Sequence, residues 1–297
     1  MRQGEMMRKV LITGKNSYIG NRVQQWLLER YPGQFEVEQL DLRDGSWKKG
    51  DFSSFDSIFH VAGIAHSDTG KADEETQALY YRVNTDLTVE VAKKAQADGV
   101  GQFIFMSSMI VYGESAPIGK KKVITRETEP KPANFYGDSK LQADLKLQTL
   151  ERPGFSVAIV RPPMIYGKGS KGNYPRLAKL AKISPVFPQV ANERSMLHID
   201  NLCEFIRVLL EEGEGGIFFP QNEAHVNTSE LVREVGRVHH KKVRLTKLFN
   251  VLLYPLSKRI GLINKVFGNL SYDLEMSRYK RDYRIRNFKE SVELTEG

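Results

Sequence analysis

Short apolar runs alternate with longer amphipathic stretches through residues 9–160 of this chain. The apolar runs have the length of strands, and the strand candidates are residues 9–13, 35–40, 57–61, 102–106 and 157–160. The longer stretches have apolar residues at helical spacing, and the helix candidates are residues 18–30, 74–97 and 135–150. Helices of this length can carry the chain back across a sheet, so consecutive strands lie parallel. The sequence therefore predicts an α/β fold with a doubly wound parallel sheet.

The pattern changes after Arg161-Pro162-Pro163, where shorter helices and loops rich in glycine, proline and lysine replace the regular alternation. Segments of this kind cover a site rather than build a sheet. We therefore expect a first domain at residues 1–163 and a smaller, mainly substrate-binding C-terminal lobe at residues 164–297. A further strand candidate at residues 216–219 could return to the sheet, so residues at about 195–220 are expected to rejoin the first domain.

Two glycines frame the turn between the first strand and the first helix. In the run KVLITGKNSYIGNRV, Gly14 directly follows the strand and Gly20 opens the helix. A turn this tight favours residues without a Cβ, and the N–H groups at a helix N-terminus can hold a pyrophosphate. Ser17 stands where the usual G-x-x-G-x-x-G spacing has its middle glycine, and its hydroxyl can still donate a hydrogen bond. The turn predicts an NAD(P)-binding Rossmann-type domain, in which the residues bordering the cofactor are Gly14, Ser17, Tyr18, Ile19 and Gly20.

Residues next to the second and third strands extend the expected cofactor site. Asp41 follows the second strand, where a carboxylate can accept hydrogen bonds from both ribose hydroxyls and repel a 2′-phosphate. It favours NAD, whereas Arg43 and Lys15 could pair with that phosphate and keep NADP open. Around the third strand, the candidates for the adenine rim and for the floor under the cofactor are Asp51, Phe52, Val61, Ala62 and Gly63. A loop cap is the alternative role of Asp51.

A serine, a tyrosine and a lysine form the candidate catalytic set. Ser108 lies just beyond the strand candidate 102–106, at the sheet edge where open parallel sheets bind their ligands. Tyr136 and Lys140 are four residues apart near the start of a helix candidate, which puts them on one helical face. A tyrosine titrates near ~10, so it needs a neighbouring cation such as Lys140 to act as a base at neutral pH. Ser108 can then hydrogen-bond the substrate oxygen that gains or loses the proton.

Several short segments together resemble one known family. From about residue 8 to residue 210, in order and spacing, the chain is similar to the extended short-chain dehydrogenase/reductases of the NAD-dependent epimerase/dehydratase family. The segments that carry the resemblance are TGKNSYIG, HVAG, the Asn84 of YRVNTD, FMSSMIVYG, FYGDSK, RPPMIYG and RSMLHIDNL. The resemblance implies that the serine, tyrosine and lysine are catalytic and that Asn84 supports the site with its cofactor. It also implies that Asn173 and Arg194 hold the diphosphate of a nucleotide sugar, which suits a guanidinium because it binds phosphate oxygens in a fork. His66 and His198 are expected to be structural, since a tyrosine fills the acid/base role.

The family divides by reaction, and one position argues against one branch. Sugar 4,6-dehydratases of the family carry an Asp-Glu pair directly after the serine or threonine, whereas Met109 and Ile110 stand there in this chain. The resemblance therefore implies a 4-epimerase of the UDP-glucose or UDP-N-acetylglucosamine type, which keeps NAD and oxidises C4 transiently. An NAD(P)H-dependent 4-ketoreductase is the alternative, since RPPMIYGKGSKGNYPRL also resembles reductases of UDP-4-keto-6-deoxy-N-acetylhexosamines. A non-catalytic dinucleotide-binding scaffold would be signalled by loss of the tyrosine or the lysine, and both are present.

The formal net charge of +8 is compatible with nucleic acid, an anionic membrane surface or a phosphorylated substrate. Nucleic acid is not expected, because the basic residues are spread along the chain without zinc-finger spacing or RNP-like aromatic runs. No metal is expected. The single cysteine, Cys203, cannot form an internal disulfide, and no secretory signal is found, so a cytoplasmic protein is expected.

The segment LTKLFNVLLYPLSKRIGLINKVF alternates apolar residues with lysines and arginines. Its apolar run is too short and too charged to cross a membrane. Two accounts stay open: a lobe helix that packs on the body and can also serve as a homodimer contact, or a surface that meets the membrane. The second account would imply a lipid-diphosphate-linked sugar as substrate. The segment also holds a second Tyr-x-x-x-Lys spacing, Tyr254 and Lys258, which contains Pro255 and is expected to reflect packing.

Overall fold

The computed structural model describes residues 7–65, 72–257 and 259–297. The strands are β1 (Arg8–Thr13), β2 (Phe35–Leu40), β3 (Ser57–His60), β4 (Gln102–Met106), β5 (Val123–Ile124), β6 (Ser156–Val160), β7 (Met164–Tyr166), β8 (Val186–Pro188), β9 (Met196–His198), β10 (Gly216–Phe218), β11 (Arg244–Thr246) and β12 (Ser271–Tyr272). The α-helices are α1 (Tyr18–Arg30), α2 (Glu74–Tyr81), α3 (Thr88–Ala97), α4 (Phe135–Gln148), α5 (Asn173–Ile183), α6 (Ile199–Glu212), α7 (Thr228–Val238), α8 (Asn250–Ser257), α9 (Gly261–Phe267) and α10 (Phe288–Glu296).

Within the described residues, six strands form one parallel sheet in the order β2-β1-β3-β4-β6-β10. The central strands β3 and β4 are buried at every residue, as is typical of parallel sheets with both faces covered. The predicted α/β fold with a doubly wound parallel sheet is confirmed. The strand order changes direction between β1 and β3, and such sheets bind ligands in the crevice at the carboxyl ends of these two strands.

Most elements of the sheet have the predicted boundaries. The bounds of α1, β2 and β4 agree with the sequence prediction residue for residue, because regular apolar spacing marks both ends of each element. The other strands of the sheet differ from the prediction by one residue at one end. Helix α4 ends two residues earlier than predicted, at Gln148.

The predicted helix 74–97 is not continuous. A π-helical turn, Arg82–Leu87, separates α2 from α3. Asn84 lies in this turn and is buried, with its side chain bonded to the Ile64 N–H at 2.8 Å and to Ser139 Oγ at 3.1 Å. Such turns are often found at functional sites, because the added residue reorients side chains that a regular helix would point elsewhere.

Contacts divide the chain into two compact units, which alternate along the sequence. The first contains the parallel sheet and is formed by the described residues up to Val111, by Pro130–Pro162 and by Leu202–Phe218. The second is formed by Tyr112–Glu129, Pro163–Asn201 and Phe219–Gly297. We keep the division into a dinucleotide-binding domain (1–163, rejoined by about 195–220) and a substrate-binding lobe (164–297) as a proposal, since compactness assigns no function to either unit.

Short strand pairs and helices make up the second unit. Strand β7 pairs with β9, β8 with β11 and β5 with β12, all in parallel. In its core the Tyr166 hydroxyl lies 2.6 Å from Ser291 Oγ and accepts a hydrogen bond of 3.0 Å from Asn222 Nδ2. None of the helices in the described parts of the chain combines the length and the apolar character that a membrane span requires.

Candidate active site

The turn after β1 is shaped by close contact with the residues that follow β3. Gly14 has a φ of +93°, and a Cβ there would lie 2.8 Å from the main-chain nitrogen of Ala62, so only glycine fits. Val61 and Ala62 are partly buried, and Gly63 is exposed. The main chain at Gly14 therefore lies directly against the main chain at Ala62. Main chain that can be approached this closely suits the pyrophosphate and ribose groups of a dinucleotide.

The start of helix α1 is built around Ser17. Its Oγ accepts a hydrogen bond of 3.2 Å from the Gly20 N–H and caps the helix. A Cβ on Gly20 would lie 2.6 Å from that oxygen, so this cap leaves no room for a side chain at position 20. Tyr18 and Ile19 are the first residues of the helix and are partly buried. Because the Ser17 hydroxyl accepts in this cap, its hydrogen stays available to an anion at the helix N-terminus.

The Asp41 carboxylate is paired with the Arg43 guanidinium. Arg43 Nε donates to the two carboxylate oxygens at 2.9 and 3.1 Å, and its main-chain N–H donates to Oδ1 at 3.0 Å. These hydrogen bonds hold the pKa of Asp41 below its usual range, with a smaller electrostatic effect of Lys15. The Arg43 side chain is 83 % exposed, and an ion pair this exposed is weak enough to open for another anion. Asp41, which favours NAD, and Arg43, which could bind the 2′-phosphate of NADP, therefore lie side by side after the end of β2.

Asp51 and Phe52 lie in the loop before β3. The Asp51 carboxylate accepts hydrogen bonds from the Ser53 N–H at 2.8 Å and from Ser53 Oγ at 2.9 Å, and these bonds lower its pKa. Asp51 therefore has the loop-cap geometry that was the alternative to a cofactor contact. Phe52 is buried, and the Lys94 ammonium lies 4.9 Å from the centre of its ring. A contact of either residue with adenine stays a prediction.

Gly63, Asn84 and Lys140 converge beyond the carboxyl end of β3. A Cβ on Gly63 would lie 3.1 Å from Asn84 Oδ1 and 3.2 Å from Lys140 Nζ. Asn84 is held in place because it accepts from the Ile64 N–H and donates to both the Ile64 oxygen and Ser139 Oγ. Because Gly63 has no side chain, a space is left open beside the Lys140 ammonium, and we call this space the cradle. A hydroxylated ligand group such as the nicotinamide ribose fits this donor and acceptor set.

Tyr136 lies in the first turn of α4, whose start is fixed by two contacts. Asn134 Oδ1 caps the helix by accepting a hydrogen bond of 3.0 Å from the Gly137 N–H. A Cβ on Gly137 would lie 2.9 Å from the main-chain oxygen of Ile110, so the helix start packs directly against the segment that follows β4. This packing places Tyr136 near Ser108, whose hydroxyl is close enough to lower the pKa of the phenol.

The surroundings of Tyr136 raise its pKa to about 12. Burial is the largest cause and the nearby Tyr80 adds to it, with the two rings edge to face at 5.8 Å, whereas the Ser108 hydroxyl lowers the pKa. Lys140, which the sequence predicts to lower this pKa, is not among the groups that shift it. The phenol is therefore protonated at neutral pH, the state in which it can donate a proton to a carbonyl oxygen.

The Lys140 side chain is buried at the end of β4. Its ammonium donates a hydrogen bond of 2.9 Å to the Met106 oxygen and lies 4.6 Å from the centre of the Phe105 ring. Burial lowers the pKa of Lys140 to about 8, and the negative charge of Asp144 opposes this effect. The lysine is therefore mostly charged at neutral pH, and the hydrogen bond to the Met106 oxygen holds its ammonium at the end of β4.

A buried ion pair that the sequence analysis did not identify lies one helical turn from Lys140. Asp144 Oδ2 accepts hydrogen bonds from Ser107 Oγ at 3.0 Å and from Arg161 Nε at 2.9 Å, and all three residues are buried. Burial raises the pKa of Asp144, and the Arg161 guanidinium opposes the shift. An acidic residue four positions after Lys140 was the available signal, because this spacing puts both on one helical face.

The residues expected to bind the diphosphate belong to the second unit. Asn173 is the exposed first residue of α5. Arg194 Nη1 donates to the main-chain oxygens of Lys265 at 2.9 Å and Gly268 at 3.2 Å, at the C-terminal end of α9. Burial lowers the pKa of this guanidinium. Arg194 thus has a structural role at a helix C-terminus, where a cation is favourable, and its contact with a diphosphate stays a prediction.

The remaining residues named from the sequence lie elsewhere. His198 is buried, and its ring lies 5.3 Å from the Tyr166 ring in the second unit. Tyr254 of the second Tyr-x-x-x-Lys spacing is 40 % exposed. His66 and Lys258 lie outside the described residues.

Comparison with known proteins gives consistent matches. The profile of the "NAD dependent epimerase/dehydratase family" matches residues 10–219. A UDP-glucose 4-epimerase of Vibrio cholerae is 30% identical, over 91% of this chain and 88% of that protein. An N-acetyl-alpha-D-glucosaminyl-diphospho-ditrans,octacis-undecaprenol 4-epimerase of Escherichia coli O157:H7 is 28% identical, over 93% of this chain and 86% of that protein. Among solved structures, a dTDP-4-dehydrorhamnose reductase of Clostridium acetobutylicum has a TM-score of 0.71 at 19% identity, over 97% of this chain and 98% of that chain, and so shares the fold.

Proposed function

The chain belongs to the NAD-dependent epimerase/dehydratase family, and we propose that it is a nucleotide-sugar 4-epimerase that retains NAD. Membership makes it an NAD(P)-dependent enzyme of the nucleotide-sugar epimerase and reductase group. Both curated relatives described above are named as 4-epimerases, and each matches nearly the whole chain. Their agreement supports epimerisation at C4 over the other reactions of the family.

The observation that carries the proposal is the convergence of a phenol, a hydroxyl and a buried ammonium. The Ser108 hydroxyl is close enough to Tyr136 to lower the pKa of its phenol, and Lys140 Nζ lies beside the cradle at Gly63. In the proposed reaction Ser108 holds O4 of the sugar. Tyr136 first gives up its own proton to solvent, and its phenolate then takes the O4 proton and later returns it. NAD, when bound, supplies the hydride acceptor and donor for C4. Lys140 and Asn84 would hold the ribose of this cofactor, since Gly63 leaves that approach open.

Direct elimination of water is not supported by the residues after Ser108. A dehydratase needs an acid and a base to expel a hydroxyl, whereas Met109 and Ile110 can neither donate nor accept a proton. Met109 is also buried, with its N–H bonded to the Pro162 oxygen at 2.9 Å. The proposal is therefore confined to oxidation and reduction at one carbon.

The proposed substrate is a UDP-linked hexose or N-acetylhexosamine, whose diphosphate Asn173 and Arg194 would hold. The name of the Escherichia coli relative describes a sugar carried on a lipid diphosphate, so the same C4 chemistry on that carrier is the second substrate class to test. In both classes a diphosphate is joined to the sugar, and the reacting carbon is the same.

A test of the proposal uses the purified protein without added nicotinamide. Turnover of UDP-galactose or UDP-N-acetylgalactosamine, together with release of NAD from the denatured protein, is the expected result. A strict need for stoichiometric NAD(P)H, with no nucleotide released on denaturation, would instead identify a 4-ketoreductase. The raised pKa of Tyr136 is the observation that favours this second candidate, because a protonated phenol can give its proton to the ketone oxygen while NAD(P)H, when bound, would supply the hydride to the carbon.

A further inference from the structure

The net positive charge of the chain is concentrated near its C-terminal end. Residues 235–272 contain eight of the 44 lysines and arginines and none of the 36 aspartates and glutamates. The remaining residues are formally neutral, so the net charge of +8 belongs to this stretch. A local charge of this size attracts an anionic partner.

Helix α8 lies in this stretch and is anchored on one side. Leu253 is partly buried and packs against the core of the second unit. Ser257, four residues later on the same side, is buried, and its main-chain oxygen accepts a hydrogen bond of 2.7 Å from Asn264 Nδ2 of α9. These contacts hold α8 in place and define its inner side.

The other side of α8 presents large apolar side chains to solvent. The exposed fractions are 83 % for Leu248, 78 % for Val251, 65 % for Leu252 and 41 % for Leu256. Spacings of three and four residues put these side chains on one face, with Leu248 just ahead of the helix. We call these four residues the apolar surface of α8. A contiguous exposed group of this kind marks contact with another molecule.

Cations accompany the apolar surface of α8. Lys247 and Arg259 flank it along the chain, and Lys265 lies in α9, which contacts α8. All three are exposed, and among the described residues none of them forms a salt bridge with a carboxylate. Apolar side chains with cations beside them match an anionic bilayer, in which the former enter the acyl boundary and the latter meet the headgroups.

Other partners fit these side chains less well. A nucleic acid would pair with the cations through its phosphates but would leave three exposed leucines in water. A second copy of the chain would bring two positively charged surfaces together, and like charges oppose each other across an interface.

We propose that the apolar surface of α8 docks on an anionic lipid bilayer, with the helix in the plane of the interface. The helix has 8 residues, whereas a span needs about 20, so it can only lie on the surface. This inference stands on the exposed side chains and the charge, and it does not depend on the reaction proposed above.

The experiment is co-sedimentation of the full-length protein with vesicles. Phosphatidylcholine vesicles that contain about one-third phosphatidylglycerol are compared with pure phosphatidylcholine at about 50 mM salt, where screening is weak. We expect binding to the anionic vesicles only. The double variant Val251→Glu with Leu252→Glu is expected to weaken that binding by on the order of ten-fold or more. The matched control, Leu145→Glu with Ile183→Glu, adds the same charge at side chains that are 51 % and 67 % exposed elsewhere, and should bind like the wild type.

Three results would overturn the proposal: no binding of the wild type, equal binding to neutral and anionic vesicles, or equal binding by the Val251/Leu252 variant. Light scattering that finds a dimeric wild type and a monomeric variant, without vesicle binding, would assign the surface to a second copy instead. Turnover of UDP-N-acetylgalactosamine in solution serves as the folding control and should be the same in both double variants. Vesicle binding without any turnover would contradict the proposed function and leave the docking surface intact.

Discussion

The Lys140 ammonium donates a hydrogen bond of 2.9 Å to the main-chain oxygen of Met106, the last residue of β4. A buried cation is thereby fixed at the carboxyl end of a central strand, beside the space that Gly63 leaves open. Such a cation costs stability as long as no ligand shares its charge. Function and stability are therefore opposed at this residue.

Replacing this cation should make the protein more stable and inactive. Burial lowers the pKa of Lys140 from 10.5 to about 8, which corresponds to on the order of 3 kcal/mol against the charged form. Because Lys140→Met also loses the bond to Met106, we expect the free energy of unfolding at pH 7 to rise by about 1–3 kcal/mol. Turnover should fall by on the order of 10² to 10⁴. Urea unfolding measures the free energy of unfolding, and an enzyme assay measures the turnover. A variant less stable than the wild type would contradict the expected cost of burying the Lys140 charge.

The same pKa shift predicts how stability depends on pH. Between pH 8 and 10.5 the unfolded chain keeps the Lys140 proton while the folded chain loses it. Stability rises with pH wherever the unfolded state binds more protons, so the penalty from Lys140 disappears across this window. The advantage of Lys140→Met over the wild type should therefore shrink from pH 8 to pH 10.5. An advantage that stays constant over the window would show that charge burial is not its cause.

Tyr136→Phe removes one hydroxyl and keeps the ring in contact with Tyr80. We expect turnover to fall by on the order of 10² to 10⁴, with the NAD content of the protein unchanged. Tyr254→Phe is the matched control, because Tyr254 belongs to the second Tyr-x-x-x-Lys spacing and is 40 % exposed. It should leave turnover unaltered. Near-normal turnover by Tyr136→Phe would refute both the epimerase and the ketoreductase.

Gly63→Ala tests the cradle beside Lys140. The new Cβ would lie 3.1 Å from Asn84 Oδ1 and 3.2 Å from Lys140 Nζ, so one of them must shift. We expect NAD binding and turnover to weaken by on the order of ten-fold or more, because small displacements at a site are costly. Gly261→Ala is the control, since no atom lies within 4 Å of that position. Equal NAD affinity of the two variants, measured by calorimetry on nucleotide-free protein, would place the cofactor elsewhere.

Arg194→Met separates a structural from a substrate-binding role. Loss of the hydrogen bonds to the Lys265 and Gly268 oxygens should lower the free energy of unfolding by about 1–3 kcal/mol. The proposed grip on the diphosphate predicts in addition a raised KM with kcat unchanged. Arg233→Met, on the exposed side of α7, should change neither quantity. A variant that loses stability and keeps its KM would remove Arg194 from the substrate site.

Local patterns were sufficient to predict much of the parallel sheet. The bounds of α1, β2 and β4 follow from apolar spacing, which depends only on neighbouring residues. Strand pairs of the second unit, such as β5 with β12, were not predicted, because strands of two or three residues are too short to show a period. Their formation depends on partners far away in the chain.

Some features of the candidate site can likewise be predicted from the sequence, and others cannot. The glycine turn and the Tyr136–Lys140 spacing are visible in the sequence because each lies within one element. The π-helical turn that orients Asn84 and the pair of Asp144 with Arg161 are not, since each depends on residues brought together from several elements. The predicted effect of Lys140 on the pKa of Tyr136 stays a prediction: Lys140 is not among the groups that shift this pKa, and its ammonium is hydrogen-bonded to the Met106 oxygen.

The sequence by itself determined the fold class, the dinucleotide turn and the identity of the candidate catalytic residues, because these follow from periodicity and from residue types a few positions apart. Only the tertiary structure decided which charges are buried and which apolar side chains are left in water. Lys140 and Leu252 show the difference, since one is a charged residue buried in the first unit and the other an apolar residue exposed on α8. Burial depends on all the elements that pack around a side chain, and no local stretch of sequence contains that information.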